Sequence, residues 1–236
     1  MAEDLKDILK SNEYPGRGIA IGVTPDGENI AIAYFTMGRS TNSRNRIFIE
    51  DGDGIMNQAH DPALMTDPSL VIYAPVRVLG NLVVVTNGDQ TDTIYEYLKD
   101  GKSFEEALNT RTFEPDPPNY TPRISGLINL SNVSYKLSIL KSAEGNPDGV
   151  CRYFFNCDKP IAGIGHFIHT YQCDGNPIPS YKGEPHQISI NNDFNTFSIE
   201  IWKSLNQNNK VSLFTRFINI KTGKSASKIF NKNLGA

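Results

Sequence analysis

The 236-residue chain has few cysteines. Cys151, Cys157 and Cys173 are odd in number and lack the paired CxxC spacing of zinc and redox sites, so we expect reduced, mostly packed thiols. A secretion signal is also missing, because the first residues are acidic where a signal needs a basic flank, and no later segment approaches a membrane span. The sequence therefore predicts a cytoplasmic protein with no membrane partner.

An excess of positive charge is missing too. Lysine and arginine number 23 against 26 aspartates and glutamates, which gives a formal net charge of -3. Nucleic acids select strongly basic surfaces, so we do not expect a nucleic-acid partner. Any basic site in this chain must be local.

Several catalytic motifs are absent. The chain has no Gly-rich phosphate loop, GxSxG elbow, HExxH motif or Cys–His pair in a useful context, which argues against the common kinases, hydrolases and metalloproteases. His166 and His169 are three residues apart in a predicted strand and would point to opposite faces, so they are not expected to share a metal. We expect a site that works without metal or cofactor.

The apolar residues that are present follow strand and helix periods in turn. Helices are predicted from the N-terminus to about Asn12, as a pair between residues 90 and 109, and at 193–205. Strands are predicted at 18–23, 30–37, 46–50, 70–79, 82–86, 124–130, 133–140, 150–155, 161–170 and 211–220, the last being the final strand. Short hairpin links indicate an α+β protein with mostly antiparallel sheets, for which two stacked sheets sandwiched by helices would fit.

No internal repeat or linker divides the sequence. We therefore expect one domain over residues 1–236, with 1–13 as an N-terminal helical extension. Oligomeric state is left open, and a homo-oligomer is compatible with a two-sheet protein of this size.

An arginine-rich loop, GRSTNSRNR, occupies residues 38–46. It holds three arginines and two serines with no acid among them. Arginine forks match phosphate oxygens in pairs and hydroxyls add short contacts, so the loop favours a phosphomonoester. A solvated basic turn is the alternative.

Two further segments are candidates for ligand contacts. Tyr73 and Arg77 are four residues apart and on a regular strand would point to one face, although Pro75 between them bends a strand and a core tyrosine with an outer arginine is equally open. Residues 87–93 lie between a strand and a helix N-terminus, where free backbone amides favour an anion or a ligand carbonyl. Ordinary capping by Asp89, Thr91 or Asp92 is the alternative there.

Four prolines stiffen the loop at residues 113–124. Glu114, Asn119, Tyr120 and Arg123 in this loop supply a proton acceptor, an amide, a stacking ring and a cation, a set compatible with a purine-like base. A plain structural loop remains open. Two more candidate binding or supporting groups, Lys182 and Glu184, lie in a turn-rich segment, and we assign them no catalysis.

Five segments together resemble one enzyme family. YPGRGI, GRSTNSRNR, the Tyr73 segment, TNGDQTDTI and EPDPPNYTPRI occur in the order of the archaeal-type inosine monophosphate (IMP) cyclohydrolases and their bacterial relatives, over roughly residues 14–200. The resemblance implies dehydrating closure of 5-formamidoimidazole-4-carboxamide ribonucleotide (FAICAR) to IMP in purine biosynthesis. It also implies a four-layer αββα sandwich similar to N-terminal nucleophile hydrolases, but a helix precedes Tyr14 here and we expect no N-terminal nucleophile.

Carried over residue by residue, the resemblance places catalysis on Arg39, Tyr73 and Glu114. Arg39 and Tyr73 would polarise the formyl oxygen, and Glu114 would accept the amide proton. The predicted substrate contacts are Ser40, Arg44 and Arg46 at the 5′-phosphate, and Asn87, Asp89, Asn119 and Arg123, with Arg77 a further candidate, around the ribose, base or carboxamide. Two other functions stay open: a non-catalytic purine-nucleotide sensor, and an amidohydrolase of the same fold.

Overall fold

Strands are the main regular secondary structure of this chain, and apolar residues recur along them. The computed structural model of the protein describes residues 2–65 and 67–235, so that Met1, in the predicted N-terminal extension, lies outside it. The helices are α1 Leu5–Ser11, α2 Thr41–Arg44, α3 Gln90–Lys99, α4 Phe104–Asn109 and α5 Phe194–Ser204. The strands are β1 Arg17–Val23, β2 Asn29–Met37, β3 Arg46–Asp51, β4 Gly54–Ala59, β5 Val76–Leu79, β6 Leu82–Thr86, β7 Arg123–Asn129, β8 Ser134–Ala143, β9 Asn146–Cys157, β10 Ile164–His169, β11 His186–Ser189, β12 Lys210–Asn219 and β13 Ser225–Asn231.

These strands form two sheets. One has the order β11-β10-β1-β2-β12-β13 and the other β3-β4-β5-β6-β7-β8-β9, and the pairings within both are antiparallel. The predicted α+β class with mostly antiparallel sheets is confirmed. Every strand of the second sheet pairs with its neighbour in sequence. Short turns such as Gly80-Asn81 join four of these pairs as hairpins, whereas longer segments join β4 to β5 and β6 to β7.

The main core lies between the sheets. Alternate residues of β1 and β2, among them Ile19, Ile21 and Tyr34, pack against Val83 and Val85 of β6 and their neighbours. The opposite face of the first sheet packs on α1 and α5, and that of the second on α3 and α4. The order across the molecule is helices, sheet, sheet, helices.

One edge of each sheet is joined to the other by a side chain. Asn231 of β13 accepts a hydrogen bond from the Phe48 backbone N–H at 2.8 Å and donates one to the Phe48 carbonyl at 2.9 Å. Phe48 lies in β3, so this amide binds the edge strand of the second sheet as another strand would.

The predicted helices correspond to α1, α3, α4 and α5, whereas α2, a single turn in the arginine-rich loop, was not predicted. The helix pair is confirmed, and Ser103 and Glu106 form the expected capping box at α4. No helix among the residues described is both long and apolar enough to cross a membrane. The predicted unpaired thiols are confirmed, but Cys173 is exposed rather than packed.

The strand predictions need three corrections. The strand predicted at 70–79 begins only at Val76, because Pro68 starts a turn in which its carbonyl accepts the N–H groups of Val71 and Ile72, and Pro75 has no N–H for a sheet. β4, β11 and β13 were not predicted, since they are short or rich in polar residues. Strand β12 is therefore not the final strand.

Candidate active site

One end of the space between the sheets is polar rather than apolar. Arg17 and Thr36 lie opposite each other on β1 and β2, and Arg46 and Asn57 lie on β3 and β4. All four share the strand faces that elsewhere carry the inter-sheet core, and all four are buried. Within the described residues, eight buried side-chain N or O atoms lack a hydrogen-bond partner, and five of these belong to this group: Arg17 Nε, Thr36 Oγ1, Arg46 Nη1, and Asn57 Oδ1 and Nδ2.

Glu114 enters the same space from the proline-rich loop after α4. Its backbone N–H donates to the Thr121 carbonyl at 2.9 Å, which closes the loop and turns the carboxylate inward. Only 2% of Glu114 is exposed, and burial raises the pKa of its carboxyl above the ordinary value, against the opposing charge of Arg17.

The partner of Glu114 is Arg17. Their Oε2 and Nη2 atoms are 3.8 Å apart, close enough for an ion pair but too far for a hydrogen bond. Burial lowers the pKa of Arg17, but Glu114 and the neighbouring Tyr171, Tyr14 and Tyr73 together raise it well above the ordinary value, so the guanidinium stays charged. The buried Glu114 carboxylate therefore lies beside the Arg17 cation but is not hydrogen-bonded to it.

A tyrosine pair lies next to this ion pair. Tyr73, in the bend before β5 and 5% exposed, makes a 2.8 Å hydrogen bond between its hydroxyl and that of Tyr34. The Tyr34 ring stacks on Phe48 at 5.5 Å. Burial, and then the neighbouring Tyr73, raise the pKa of Tyr34 well above its ordinary value, so the Tyr34 hydroxyl keeps its proton and can donate a hydrogen bond.

A glycine fixes the approach of two aromatic rings to Arg17. Gly16 has φ +79°, and a Cβ there would lie 2.3 Å from Thr170 Oγ1 and 2.4 Å from a ring carbon of Tyr171. Tyr14 stacks on Tyr171 with centroids 5.7 Å apart. The guanidinium of Arg39 lies 5.2 Å above the Tyr14 ring, at the exposed side of this cluster.

The arginine loop does not gather its three cations on one anion. Arg39 pairs with Asp174 and Arg44 donates to the Gly38 carbonyl at 2.8 Å, both on the exposed side. Arg46 is fully buried and donates through Nε to the Ser43 carbonyl at 2.8 Å. The cause is strand alternation, since Arg46 is two residues before the core residue Phe48 and takes the same face.

Ser40 is used locally, because its side chain caps the short helix α2 together with Ser43. The predicted common site of Ser40, Arg44 and Arg46 is therefore not assembled in the structure. Arg46 belongs with the interior cluster, whereas Ser40 and Arg44 stay at the surface.

Comparison with known proteins identifies the family. Residues 14–224 match the family described as IMP cyclohydrolase-like protein. The chain belongs to this family. It is similar to the IMP cyclohydrolase of Methanopyrus kandleri, with 28% identity over 211 residues that cover 79% of this chain and 98% of the relative.

Two further IMP cyclohydrolases are similar over shorter stretches. That of Methanosphaera stadtmanae is 31% identical, over 52% of this chain and 61% of the relative. That of Methanococcus aeolicus is 29% identical, over 68% of this chain and 75% of the relative.

Other residues predicted for this cyclohydrolase-like site lie further away or have structural contacts. Asn87 uses both ends of its amide: Oδ1 accepts from the Ile124 N–H at 2.8 Å and Nδ2 donates to the Pro122 carbonyl at 2.9 Å. Asp89 makes no capping bond and pairs instead with Arg123, at 2.7 Å, and with Arg111. Arg123 is 5% exposed and faces Glu114 as a second cation.

Asn119 and Arg77 point away from the cluster. Asn119 Oδ1 accepts from the Ile178 N–H at 3.0 Å and so holds one loop to another. Arg77 pairs with Asp92 and lies over Tyr95 on the helix side of its sheet. Of the two alternatives for Tyr73 and Arg77, a shared strand face is excluded because Tyr73 precedes the strand, and the structure has a buried tyrosine with an outer arginine.

The histidines take opposite faces of β10, as predicted. His166 bonds the Tyr135 hydroxyl at 2.7 Å beside a cavity of about 360 Å³ that Glu184 also lines, far along the sandwich from β3 and β4. His169 bonds the Tyr171 carbonyl at 2.8 Å. Lys182 forms an exposed ion pair with Glu144. No three metal-ligating side chains cluster within residues 2–65 and 67–235, and the expected absence of a metal remains a prediction.

Sequence reasoning missed Arg17, Thr36, Tyr34 and Asn57. Each lies on a strand and looks like an ordinary polar or aromatic strand residue. The available signal was alternation, since Arg17 continues the inward series Ile19 and Ile21.

Proposed function

We propose that this protein is an IMP cyclohydrolase that closes FAICAR to IMP with loss of water, as a step of purine biosynthesis. The observation that carries the proposal is the buried pair of Glu114 and Arg17 beside the hydroxyl of Tyr73, at the end of the inter-sheet space that holds five unpartnered polar atoms. Leaving a buried polar atom unpaired costs about 1–3 kcal/mol, so a cluster of them favours a ligand-binding role.

The reaction joins the carboxamide nitrogen to the formyl carbon. One proton leaves the carboxamide nitrogen and one leaves the formamido nitrogen, and both depart with the formyl oxygen as water. Glu114 is the base for the carboxamide proton, and its burial gives a carboxylate that is more basic than one in water.

Charge builds on the formyl oxygen as the ring closes. Tyr73 donates a hydrogen bond to that oxygen, and Tyr34 supports it by donating to the Tyr73 oxygen in turn. Arg39, over Tyr14 at the exposed side of the cluster, is the second group assigned to this oxygen.

We assign exposed arginine-loop residues to the phosphate end of the nucleotide and the buried one to its ring end. Ser40 and Arg44 are exposed and remain the proposed 5′-phosphate contacts, whereas buried Arg46 is reassigned to the ring end. Arg123, the first residue of β7, offsets part of the negative charge of Glu114. In this proposal the nucleotide makes no direct contact with Asn87, Asp89, Asn119 or Arg77.

We also propose the fold type of this enzyme and the cell compartment in which it works. The helix–sheet–sheet–helix order supports a four-layer αββα sandwich similar to N-terminal nucleophile hydrolases, with the whole chain acting as one domain. Three unpaired cysteines fit a reducing cytoplasm. Assembly into a homo-oligomer is compatible with this function.

The test is direct. Purified protein is mixed with FAICAR without added metal or cofactor, and IMP is measured by ultraviolet absorbance and chromatography. IMP formed in proportion to enzyme supports the proposal, with Glu114→Gln as the control expected to lose turnover while still binding nucleotide. Tight binding without turnover would identify a nucleotide sensor instead, and release of ammonia or a carboxylic acid from simple amides an amidohydrolase.

A further inference from the structure

Asn57 differs from the other buried asparagines of the described chain. Asn45, Asn87 and Asn231 each use both ends of the side-chain amide in hydrogen bonds with backbone groups. Asn57 is 0% exposed, yet neither its Oδ1 nor its Nδ2 has a partner within the described residues. A buried amide with both ends free is costly to stability and calls for a ligand.

The neighbours of Asn57 place this amide at the proposed site. Asn57 lies opposite Phe48 in the β3–β4 ladder and therefore shares its inward face. Its backbone N–H donates to the Tyr73 carbonyl at 2.9 Å. The side chain thus lies among the groups that hold Tyr73, Tyr34 and Arg46.

We propose that Asn57 binds the substrate carboxamide at both ends, with Nδ2 donating to the carboxamide oxygen and Oδ1 accepting from its N–H. The inference rests on the proposed function and extends it to the residue that binds the carboxamide of the substrate. An amide side chain is matched to this edge because it offers one donor and one acceptor side by side.

The chemistry of ring closure makes this contact useful. The carboxamide rotates freely in solution, and only one orientation directs its nitrogen at the formyl carbon. The N–H that lies beside the carbonyl oxygen is not the proton lost to Glu114, and it becomes N1–H of IMP next to O6. Asn57 can therefore hold the same two atoms before and after reaction, fixing the attacking nitrogen in place.

The experiment compares wild type with Asn57→Leu, which has a similar size and no polar atoms. Binding of IMP is measured beside binding of purine riboside 5′-monophosphate, which lacks both O6 and N1–H. Wild type should prefer IMP by about 10-fold or more, and the variant should lose that preference while its melting temperature stays equal or rises. Its kcat/KM for FAICAR should fall about 10–100-fold.

A matched control removes another buried unpartnered polar atom. Ser138 Oγ lies on the opposite face of β8 from the inter-sheet core residues Leu137 and Ile139, and Ser138→Ala should change neither the preference nor turnover. Asn57→Ser serves if the leucine variant does not fold.

An unchanged preference for IMP in a folded Asn57 variant would overturn the inference. A wild type that binds IMP with this preference but forms none from FAICAR would overturn the proposed function alone, since the binding comparison does not depend on turnover.

Discussion

Replacing Arg17 with methionine tests whether the ion pair tunes the proposed base. The cation lies 3.8 Å from the Glu114 carboxylate, and its loss leaves Arg46 from β3 and Arg123 from β7 as the cations that face Glu114, with Asp116 of its own loop opposing them. Burial already raises the pKa of Glu114, and removing Arg17 must raise it further. The enzyme should then need a higher pH to ionise its base.

The size of the change follows from the distance. Two unit charges about 4 Å apart attract by about 4 kcal/mol at an effective dielectric constant near 20. One pKa unit corresponds to about 1.4 kcal/mol, which sets a ceiling of about 3 units. The remaining arginines and local rearrangement offset part of this, so we expect the acid limb of the pH profile to move upward by about 1–3 pH units.

The assay is the pH dependence of kcat/KM for IMP formation, which reports the free enzyme's essential base. Arg17→Lys keeps a charge at this position and should move the acid limb less than Arg17→Met. Glu114→Gln should remove the limb together with most activity. Melting temperatures check that each variant is folded, and protonation of Glu114 relieves the uncompensated buried charge in the methionine variant.

An acid limb that stays in place in a folded, active Arg17→Met variant would refute the reasoning. It would mean either that Glu114 is not the base or that Arg17 does not act on it. A limb that moves to lower pH would contradict the sign of the electrostatic argument.

The remaining predictions concern three other positions. Tyr73→Phe should lower kcat about 10–100-fold with near-normal nucleotide binding, and an unchanged kcat would exclude its role. Gly16→Ala should lower the free energy of unfolding by about 1–3 kcal/mol more than Gly27→Ala, because both glycines have positive φ but only Gly16 is crowded, by Thr170 and Tyr171; equal losses would show that crowding is unimportant. Burial, aided by His186, lowers the pKa of His169 to about 3, so the unfolded chain takes up its proton first and stability should fall by up to about 1.4 kcal/mol per pH unit below about pH 6.5. Unfolding of His169→Gln at pH 6.5 and 4.5 should show a shallower loss, and an identical slope would contradict this origin.

Local features of the fold could be predicted, whereas distant pairings could not. The Ser103–Glu106 capping box and the β1–β2 hairpin were visible because a few adjacent residues determine them. The strand expected at 70–79 failed because a turn beginning at Pro68 outweighs its apolar composition. β13 is polar and stable only as a partner of β12, which composition does not reveal.

The candidate site shows the same contrast between local features, which the sequence predicts, and distant pairings, which it does not. Tyr73 and Glu114 could be named from the resemblance, and both lie in the buried cluster. Arg46 was grouped with Arg44 because they are close in sequence, but the alternation of β3 turns Arg46 inward and leaves Arg44 outside. Arg17 and Asn57 come together only when two sheets stack, and that contact joins residues far apart in the chain.

The amide of Asn231 has a consequence for the rate of ring closure. It holds both backbone groups of Phe48, and Ser212 supports it through a further hydrogen bond at 2.7 Å. The strand that carries Arg46 is therefore immobilised when the protein folds, before any nucleotide arrives. The entropy lost in ordering this wall is spent during folding, so that more of the binding free energy remains to restrain a flexible substrate.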